Sequence, residues 1–222
     1  MSKGGQGTLD LAADKARALT LAPVSRETEK RLEIFLEVLL RWQSKLNLVA
    51  PATLHELWTR HIADSLQLLP LAPQARVWAD FGSGGGFPGI PIACALADYP
   101  GAIVHLIESN GKKAAFLREV VRATGVPAIV HQERAEKFEE TCAETVQVVT
   151  ARALAPLKIL LDQAFPLMSR GAIGLFLKGQ DVDAELTEAA KYWRLEVSKV
   201  PSKTSPQSSI VVVRSLKPLP RA

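Results

Sequence analysis

The sequence predicts an α/β protein with a seven-stranded, mostly parallel sheet that carries helices on both faces. Beyond residue 70, short apolar runs alternate with helical segments, which is typical of a doubly wound sheet. Five glycines crowd residues 82–89, directly after the first apolar run. Only PSKTSPQS separates the last two apolar runs, so they have no room for a crossover helix and should pair antiparallel.

Residues 1–70 are predicted to form an N-terminal helical extension. Helices are expected over residues 8–19, 27–46 and 53–69. In the second of these, apolar side chains recur at helical spacing, which indicates an amphipathic helix packed on a larger body. Arg60 and Asp64 stand four residues apart in the third, so they share a helix face and can form an ion pair.

Residues 71–222 are predicted to form a Rossmann-like core. Strands are expected over residues 76–81, 102–107, 127–131, 146–150 and 172–178, and the closing pair over residues 195–200 and 209–215. Helical segments are expected over residues 89–97, 110–124, 136–143, 155–168 and 181–193. This alternation predicts that the ligand lies beyond the carboxyl ends of the strands, next to the first strand.

Composition narrows the class of protein. The 222 residues carry a net charge of +4, which is compatible with a polyanionic partner but does not establish one. Cys94 and Cys142 lack metal-ligand spacing, so we expect reduced thiols and no metal site. With no long apolar run and no signal peptide, we expect a soluble, cytoplasmic protein that does not bind membranes. A monomer is expected, although the sequence leaves the oligomeric state open. Candidate phosphate contacts are Arg26, Arg31, Arg41, Lys45, Lys112 and Lys113.

The glycine-rich turn predicts a ligand that approaches the backbone closely. Glycine has no Cβ and tolerates positive φ, and the helix that follows adds unpaired N–H groups. Glu108 ends the second predicted strand about 20 residues further on, where a carboxylate can accept hydrogen bonds from a ribose diol. Together these features indicate an adenosine-containing ligand.

Two cofactors fit this pattern. The string GGGFPG satisfies G-x-G-x-x-G formally, which leaves a dinucleotide open. Pro88 and Pro91 lack the N–H groups that a pyrophosphate would need at a helix start. An S-adenosylmethionine-dependent methyltransferase would use the overlapping grouping Asp80-x-Gly82-x-Gly84-x-Gly86. The closing antiparallel pair is typical of the same class of methyltransferase, which is therefore favoured.

Several strings together resemble one family, the small-subunit ribosomal RNA guanine-N7 methyltransferases known as RsmG, formerly glucose-inhibited division protein B. The most specific are Arg60-His61-x-x-Asp64-Ser65 and Gly86-Phe87-Pro88-Gly89-Ile90-Pro91. Others, in order, are Asn47-Leu48, Glu108-Ser109-Asn110-x-Lys112-Lys113, Arg134-Ala135-Glu136, Thr150-Ala151-Arg152-Ala153 and Leu177-Lys178-Gly179. The resemblance covers about residues 30–213 and implies a class I methyltransferase fold.

The resemblance implies methylation of N7 of a guanosine in the 530-loop region of 16S rRNA, with S-adenosylmethionine as donor. The substrate would be 16S rRNA or a 30S ribosomal particle. Cofactor-binding residues implied by position are Asp80, Gly82, Gly84, Phe87, Glu108, Ala135, Glu136 and Arg152. Of these, Glu108 would hold the ribose, Ala135 and Glu136 the adenine, and Arg152 the methionine or the target base. The implied catalytic residues that flank the same pocket are Arg60, His61, Asp64 and Lys178.

The chemistry of N7 agrees with what the sequence lacks. N7 carries a lone pair and no proton, so the enzyme needs to align the reactants and exclude water, without a covalent nucleophile. The sequence has no Pro-Cys pair and no Asn/Asp-Pro-Pro-Tyr/Phe string. Methylation leaves a positive charge on the base, and Asp64, held by Arg60 or His61, is the candidate that stabilises it. Phe87 is a candidate for stacking on the base or for core packing.

Three other functions stay open at this point. One is a methyltransferase of the same fold that acts on a protein or a metabolite. Another is an RNA-binding ribosome-assembly factor without catalysis, and the third is an NAD-dependent oxidoreductase.

Overall fold

The computed structural model describes residues 11–142 and 144–220, apart from the side chains of Glu139 and Thr141. The strands are β1 (Val77–Phe81), β2 (Ile103–Ile107), β3 (Ala128–His131), β4 (Val148–Arg152), β5 (Ile173–Lys178), β6 (Trp193–Pro201) and β7 (Ser209–Pro218). The α-helices are α1 (Ala12–Leu21), α2 (Arg26–Gln43), α3 (Asp64–Leu66), α4 (Gly89–Leu96), α5 (Gly111–Thr124), α6 (Ala135–Thr141), α7 (Leu157–Ser169) and α8 (Val182–Ala189). The predicted start of the first helix at residue 8 and the predicted end of the third core helix at residue 143 lie outside the described residues.

The strands form one sheet of order β3-β2-β1-β4-β5-β7-β6. The first five strands are parallel, and β7 runs antiparallel between β5 and β6. The predicted seven-stranded α/β fold is therefore confirmed. Strand order reverses between β1 and β4, so a crevice opens beyond their carboxyl ends.

Apolar side chains pack on both faces of the sheet. On one face, Leu32 and Phe35 of α2 belong to the same buried cluster as Trp78 of β1 and Leu106 of β2. The opposite cluster joins α6, α7 and α8 to the sheet, for example through Phe138, Leu161 and Phe176. The extension thus contributes to a core that also contains sheet residues, and the domain boundary at residue 70 stays a prediction. Within the described ranges, every helix is too short or too polar to span a lipid bilayer.

The single helix predicted over residues 53–69 is wrong. The chain forms a 3-10 helix over Pro51–Glu56, a π-helical turn over Trp58–Ala63 and then α3. The Asp14 carboxylate of α1 accepts hydrogen bonds from the N–H groups of Trp58 (2.7 Å) and Thr59 (3.2 Å) at the start of the π turn. A contact from another helix therefore caps this segment, and the wider turn changes which side chains share a face.

The helix predicted over residues 181–193 is too long. It ends at Ala189, and Trp193 begins β6 instead. The indole N–H of Trp193 donates to Asp162 Oδ1 (3.1 Å), and its ring lies 4.9 Å from that of Phe165 on α7. Aromatic residues are common in strands, and these tertiary contacts place Trp193 in β6 and not in the preceding helix.

A buried carboxylate braces the glycine turn that follows β1. Asp80 is 1% exposed, and it accepts hydrogen bonds from the N–H of Gly89 (3.2 Å) and the hydroxyl of Thr150 (3.0 Å). Gly85 packs so closely on the preceding segment that a Cβ there would lie 2.7 Å from the Leu48 carbonyl oxygen. The turn is thus fixed from the sheet below and from the N-terminal segment beside it.

Replacing Asp80 by Asn should change the pH dependence of stability. Burial raises the pKa of Asp80 from 3.8 to about 7, so the folded state binds more protons than the unfolded state between these values. Native stability is therefore lost as pH rises through this window. An Asn side chain does not titrate. Its amide oxygen can accept the N–H of Gly89, and its NH₂ group can donate to the hydroxyl oxygen of Thr150. The difference between the free energies of unfolding of the variant and of the wild type should therefore rise by roughly 2 kcal/mol from about pH 5 to about pH 7.

Denaturant titrations across this pH range measure that difference. Asp183→Asn, which removes a carboxylate that is 76% exposed, is the matched control and should give a nearly flat difference. A flat difference for Asp80→Asn as well would contradict the proposed burial of a titrating group.

Candidate active site

The turn after β1 and the ends of β2 and β4 enclose a cavity of about 260 Å³, which we call the glycine-loop cavity. Gly82 adopts a φ of 66°, a conformation that favours glycine. A Cβ at Gly82 would also lie 2.5 Å from Leu154 Cδ1. Five of the predicted cofactor residues line this cavity: Gly82, Gly84, Glu108, Ala135 and Glu136.

Glu108 fixes the floor of the glycine-loop cavity. Its Oε2 accepts the N–H of Gly84 (2.9 Å), and its Oε1 accepts the N–H of Asn110 (2.7 Å). The residue is only 7% exposed. A carboxylate has about four acceptor positions, so each oxygen retains a lone pair for a hydroxyl of a bound ligand. These free acceptor positions therefore suit the diol of a ribose.

A second cavity of about 430 Å³ lies beyond the ends of β4 and β5, and we call it the β4–β5 cavity. All four predicted catalytic positions lie in its wall or against it. Arg60, Asp64 and Lys178 line it together with Arg152, and His61 contacts Arg152 from behind. Ala153 and Leu154 line both cavities and form the wall between them.

Arg152 joins this wall to the N-terminal segment. Strand β4 extends two residues beyond its predicted end, so Arg152 is its last residue. The guanidinium donates through Nη1 to the Arg60 carbonyl (3.2 Å) and through Nη2 to His61 Nδ1 (2.5 Å). Nη1 also lies 3.6 Å from Asp64 Oδ2. Burial lowers the pKa of Arg152, and the nearby Asp64 carboxylate opposes that shift.

His61 is a neutral acceptor in this arrangement. Burial, followed by the charges of Arg152 and Arg60, lowers its pKa from 6.5 to about 3. Because Nδ1 accepts from Arg152, Nε2 carries the proton and donates to Thr53 Oγ1 (2.8 Å). The imidazole ring lies 4.9 Å from that of Phe87. His61 therefore orients Arg152, and both of its nitrogens are engaged.

The expected pairing of Asp64 with Arg60 or His61 is wrong. Asp64 Oδ1 accepts hydrogen bonds from Gln67 Nε2 (2.8 Å), Ser202 Oγ (3.2 Å) and Thr204 Oγ1 (2.6 Å). Its other oxygen faces Arg152, as the 3.6 Å contact requires. Among the described residues, the Arg60 side chain makes no ion pair, and it is exposed at the mouth of the β4–β5 cavity.

Sequence reasoning missed the loop between β6 and β7. Ser202 and Thr204 belong to the PSKTSPQS string, which in the sequence indicates only a connection. In the fold, this loop lies over the carboxyl end of β5 and closes one side of the β4–β5 cavity. The only available signal was its concentration of hydroxyl side chains, which is common in ordinary turns.

Lys178 is held away from open solvent at the end of β5. Its Nζ donates to the Ala155 carbonyl (2.7 Å) and lies 2.6 Å from Glu185 Oε2. Glu185 also accepts the N–H of Leu157 at the start of α7. Lys178 thus fixes the backbone that follows the Ala153–Leu154 wall.

Two predicted cofactor residues do not line either cavity. Asp80 lies beneath the glycine turn, as described above, and Phe87 is 6% exposed. The Phe87 ring packs on Phe35 at 5.1 Å and on His61, and Arg152 Cζ lies 5.8 Å from its centroid. Of the two roles expected for Phe87, this environment supports packing in the core and not stacking on a base.

Two of the six candidate phosphate contacts are engaged in ion pairs. Arg31 pairs bidentately with Asp98, at 3.0 and 2.9 Å, and Arg41 pairs with Glu119 at 3.2 Å. Lys113 lines the glycine-loop cavity. Because a paired guanidinium has less charge to offer a phosphate, Arg31 and Arg41 are weaker candidates than the sequence predicts.

Solved structures share this architecture. An O-methyltransferase from Bacillus cereus in complex with SAH aligns with a TM-score of 0.60 at 14% identity, over 92% of this chain and 98% of that one. Cofactor-bound Rv0187 from MTB aligns with a TM-score of 0.58 at 16% identity, over 95% of this chain and 99% of that one. At such low identity the likeness shows the fold alone, and it confirms the predicted class I methyltransferase fold.

Sequence relatives are much closer. A protein of Bradyrhizobium sp. (strain BTAi1) named ribosomal RNA small subunit methyltransferase G is 60% identical over 203 residues, 91% of each chain. A protein of Rhodopseudomonas palustris (strain HaA2) with the same name is 58% identical over 200 residues, 90% of this chain and 84% of the relative. The family model for rRNA small subunit methyltransferase G matches residues 28–211. The resemblance drawn from the motifs is confirmed, and the chain belongs to the rRNA small subunit methyltransferase G family.

Proposed function

We propose that this protein transfers the methyl group of S-adenosylmethionine to N7 of a guanosine in the 530-loop region of 16S rRNA. Family membership supports methylation of ribosomal RNA, and the motif resemblance supplies the nucleotide and the atom. The observation that carries the proposal is the shared wall. One cavity has acceptors for the hydroxyls of a ribose, and the other is lined by two carboxylates and three cations. Ala153 and Leu154 line both cavities.

The glycine-loop cavity is the proposed cofactor site. When bound, S-adenosylmethionine supplies a methyl group on a positively charged sulfur. Glu108 accepts hydrogen bonds from the ribose, while Ala135 and Glu136 line the adenine end. The glycine turn keeps side-chain atoms out of the cavity, and Asp80 holds its backbone from below.

The β4–β5 cavity is the proposed site of the target base. N7 has no proton to lose, so the reaction needs no general base, and His61 has neither a free nitrogen nor a raised pKa to act as one. The methylated ring becomes positive, and the Asp64 carboxylate in the cavity wall stabilises that charge. Arg152 holds Asp64 in place, and exposed Arg60 can contact the RNA backbone at the cavity mouth.

Glu108→Gln should weaken cofactor binding. The carboxylate now accepts two backbone N–H bonds, whereas an amide offers one oxygen and one NH₂ group, so one N–H loses its acceptor. The amide also leaves one acceptor fewer for the ribose hydroxyls. Loss of one hydrogen bond to a charged group costs about 1.5–3 kcal/mol, which corresponds to roughly 10–150-fold in affinity for S-adenosylmethionine by calorimetry.

Glu133→Gln is the matched control for Glu108→Gln. It removes a carboxylate from the wall of the same cavity, and Glu133 makes no hydrogen bond to the glycine turn among the described contacts. Its affinity should stay within about threefold of wild type. An equal loss of affinity in both variants would show that Glu108 acts only through its negative charge and not through its hydrogen bonds.

Asp64→Asn should slow methyl transfer and leave cofactor affinity unchanged. The amide oxygen can keep the three hydrogen bonds to Oδ1, so the substitution removes the charge and the contact of Oδ2 with Arg152. Loss of one stabilising group in a water-excluded site typically costs about 100-fold in rate. Single-turnover transfer and equilibrium binding of S-adenosylmethionine separate the two effects.

Thr204→Val is the comparison for Asp64→Asn, because it removes one donor to Oδ1 and keeps the carboxylate charge. It should reduce the rate by about tenfold, as expected for one lost hydrogen bond to a charged group. An Asp64→Asn variant with wild-type turnover would exclude Asp64 from the reaction.

The direct test of function is to incubate the protein with methyl-labelled S-adenosylmethionine and either 30S subunits or protein-free 16S rRNA. We expect label in one guanosine, and chain cleavage after borohydride and aniline treatment would identify N7 as its position. Comparing the two substrates shows whether RNA or the assembled particle is recognised. Light scattering of the free enzyme tests the expected monomer.

Other outcomes of this test would overturn the proposal. Label at another rRNA atom would contradict the N7 assignment. Label found only in protein or metabolite fractions would favour a different substrate class. Tight RNA binding with no transfer to either substrate would favour an assembly factor.

A further inference from the structure

A second group of chemically reactive side chains lies apart from both cavities, on the sheet face covered by α6. His105 of β2, Cys142 at the end of α6 and Glu144 each present one ligand atom, and these atoms lie within 4.8 Å of one another. Glu144 Oε2 is 3.7 Å from Cys142 Sγ and 3.9 Å from His105 Nε2. A nitrogen, a sulfur and an oxygen ligand thus converge on one point.

The histidine in this group has an unused nitrogen. His105 is 1% exposed, and its Nε2 has no hydrogen-bond partner among the described residues. At 3.9 Å, the Glu144 carboxylate is too far for a hydrogen bond. Buried polar atoms are nearly always satisfied, so an orphan that faces a carboxylate and a thiol requires an explanation.

The other nitrogen of His105 is held in the manner of a metal ligand. Its Nδ1 lies 3.0 Å from His131 Nε2, and His131 Nδ1 lies 3.7 Å from Glu133 Oε1. With the proton of this bond on Nδ1, the Nε2 lone pair points at the thiol and carboxylate. Phe138 packs on both imidazole rings, at 5.2 and 4.8 Å, and restricts their rotation. Metal-bound histidines are commonly oriented through their second nitrogen in this way.

We propose that His105 Nε2, Cys142 Sγ and the Glu144 carboxylate bind one divalent transition-metal ion, with Zn²⁺ as the best match. A thiolate and a carboxylate neutralise the two positive charges, and the imidazole enters as a neutral ligand. In a tetrahedral zinc site with usual bond lengths, ligand atoms lie roughly 3.3–3.7 Å apart. The two separations that involve Glu144 need to contract by only a few tenths of an ångström, and the one between His105 and Cys142, which is at most 4.8 Å, by no more than about 1.3 Å. The thiol proton is released on binding.

Such an ion would connect the end of α6 to strand β2 of the sheet. The beginning of the same helix supplies Ala135 and Glu136 to the glycine-loop cavity. The metal would therefore fix one side of that cavity from the opposite end of the helix. The proposal is independent of the methyl acceptor, since no residue of the β4–β5 cavity takes part.

The sequence could not reveal this group, because its members come from separate elements. His105 and Cys142 are 37 positions apart in the chain (142 − 105), and no short ligand spacing marks them. The expectation of no metal site, drawn from cysteine spacing, is therefore replaced by this proposal.

Cobalt titration of the metal-free full-length protein tests the proposal. Co²⁺ occupies zinc sites and gives a thiolate-to-metal absorption band in the near ultraviolet when a cysteine is bound. We expect the band to saturate at one equivalent and to disappear on addition of Zn²⁺. No band, or a band with no defined stoichiometry, would overturn the proposal.

Matched variants assign the ligands. Cys142→Ser should abolish the band, whereas Cys94→Ala should retain it, because Cys94 is fully buried elsewhere. Glu144→Gln should weaken Co²⁺ binding by at least about tenfold. Glu144 is 41% exposed, so this variant should fold normally, as circular dichroism would verify. The double variant His55→Ala/Glu56→Ala, which removes an exposed histidine–carboxylate pair, should leave Co²⁺ binding unchanged. A band that survives Cys142→Ser would also overturn the proposal.

Discussion

The guanidinium of Arg152 is the point at which the N-terminal segment and the sheet are joined. A largely buried cation is costly unless its donors are matched, and the acceptors of this one come from outside the sheet. The carbonyl of Arg60, the imidazole of His61 and the carboxylate of Asp64 supply them, all from one irregular helical stretch. The charge therefore dictates where that stretch must lie relative to β4.

The need of Arg152 for these acceptors also explains the unusual backbone between residues 51 and 71. A regular α-helix would present Arg60 and Asp64 side by side on its surface, whereas the π turn lets a carbonyl, a ring nitrogen and a carboxylate converge on Arg152. Asp14 of α1 caps this turn, and Gln43 of α2 accepts the N–H groups of Leu48 and Val49 beside the glycine loop. The helical extension is thereby part of the proposed active site and not an appendage to it.

Local pattern was enough to predict the sheet, the closing antiparallel pair and the glycine turn, since each depends on neighbouring residues. Long-range contacts decided the rest. Two partners of Asp64, Ser202 and Thr204, lie about 140 positions away in the loop between β6 and β7. Trp193 joins a strand because Asp162 and Phe165 lie beside it. The positions of Gly82 and Ala135, which the motif order proposes as cofactor residues, also agree with the structure, since both line the glycine-loop cavity. The structural roles of Asp80, which braces the turn, and of Phe87, which packs in the core, could not be predicted without knowing which side of the turn faces the core.

The wall between the two cavities is where backbone strain and chemistry coincide. Ala153 adopts a φ of 51°, a left-handed conformation that costs a residue with a Cβ about 1 kcal/mol. Glycine would relieve this cost, yet it would also loosen the segment that carries Leu154 over Gly82. Arg152 before the segment and the Ala155 carbonyl after it, held by Lys178, fix the strained residue from both ends. In the proposed reaction the methyl group passes this segment on its way from one cavity to the other, so a rigid wall at this position would align donor and acceptor without adding a catalytic side chain.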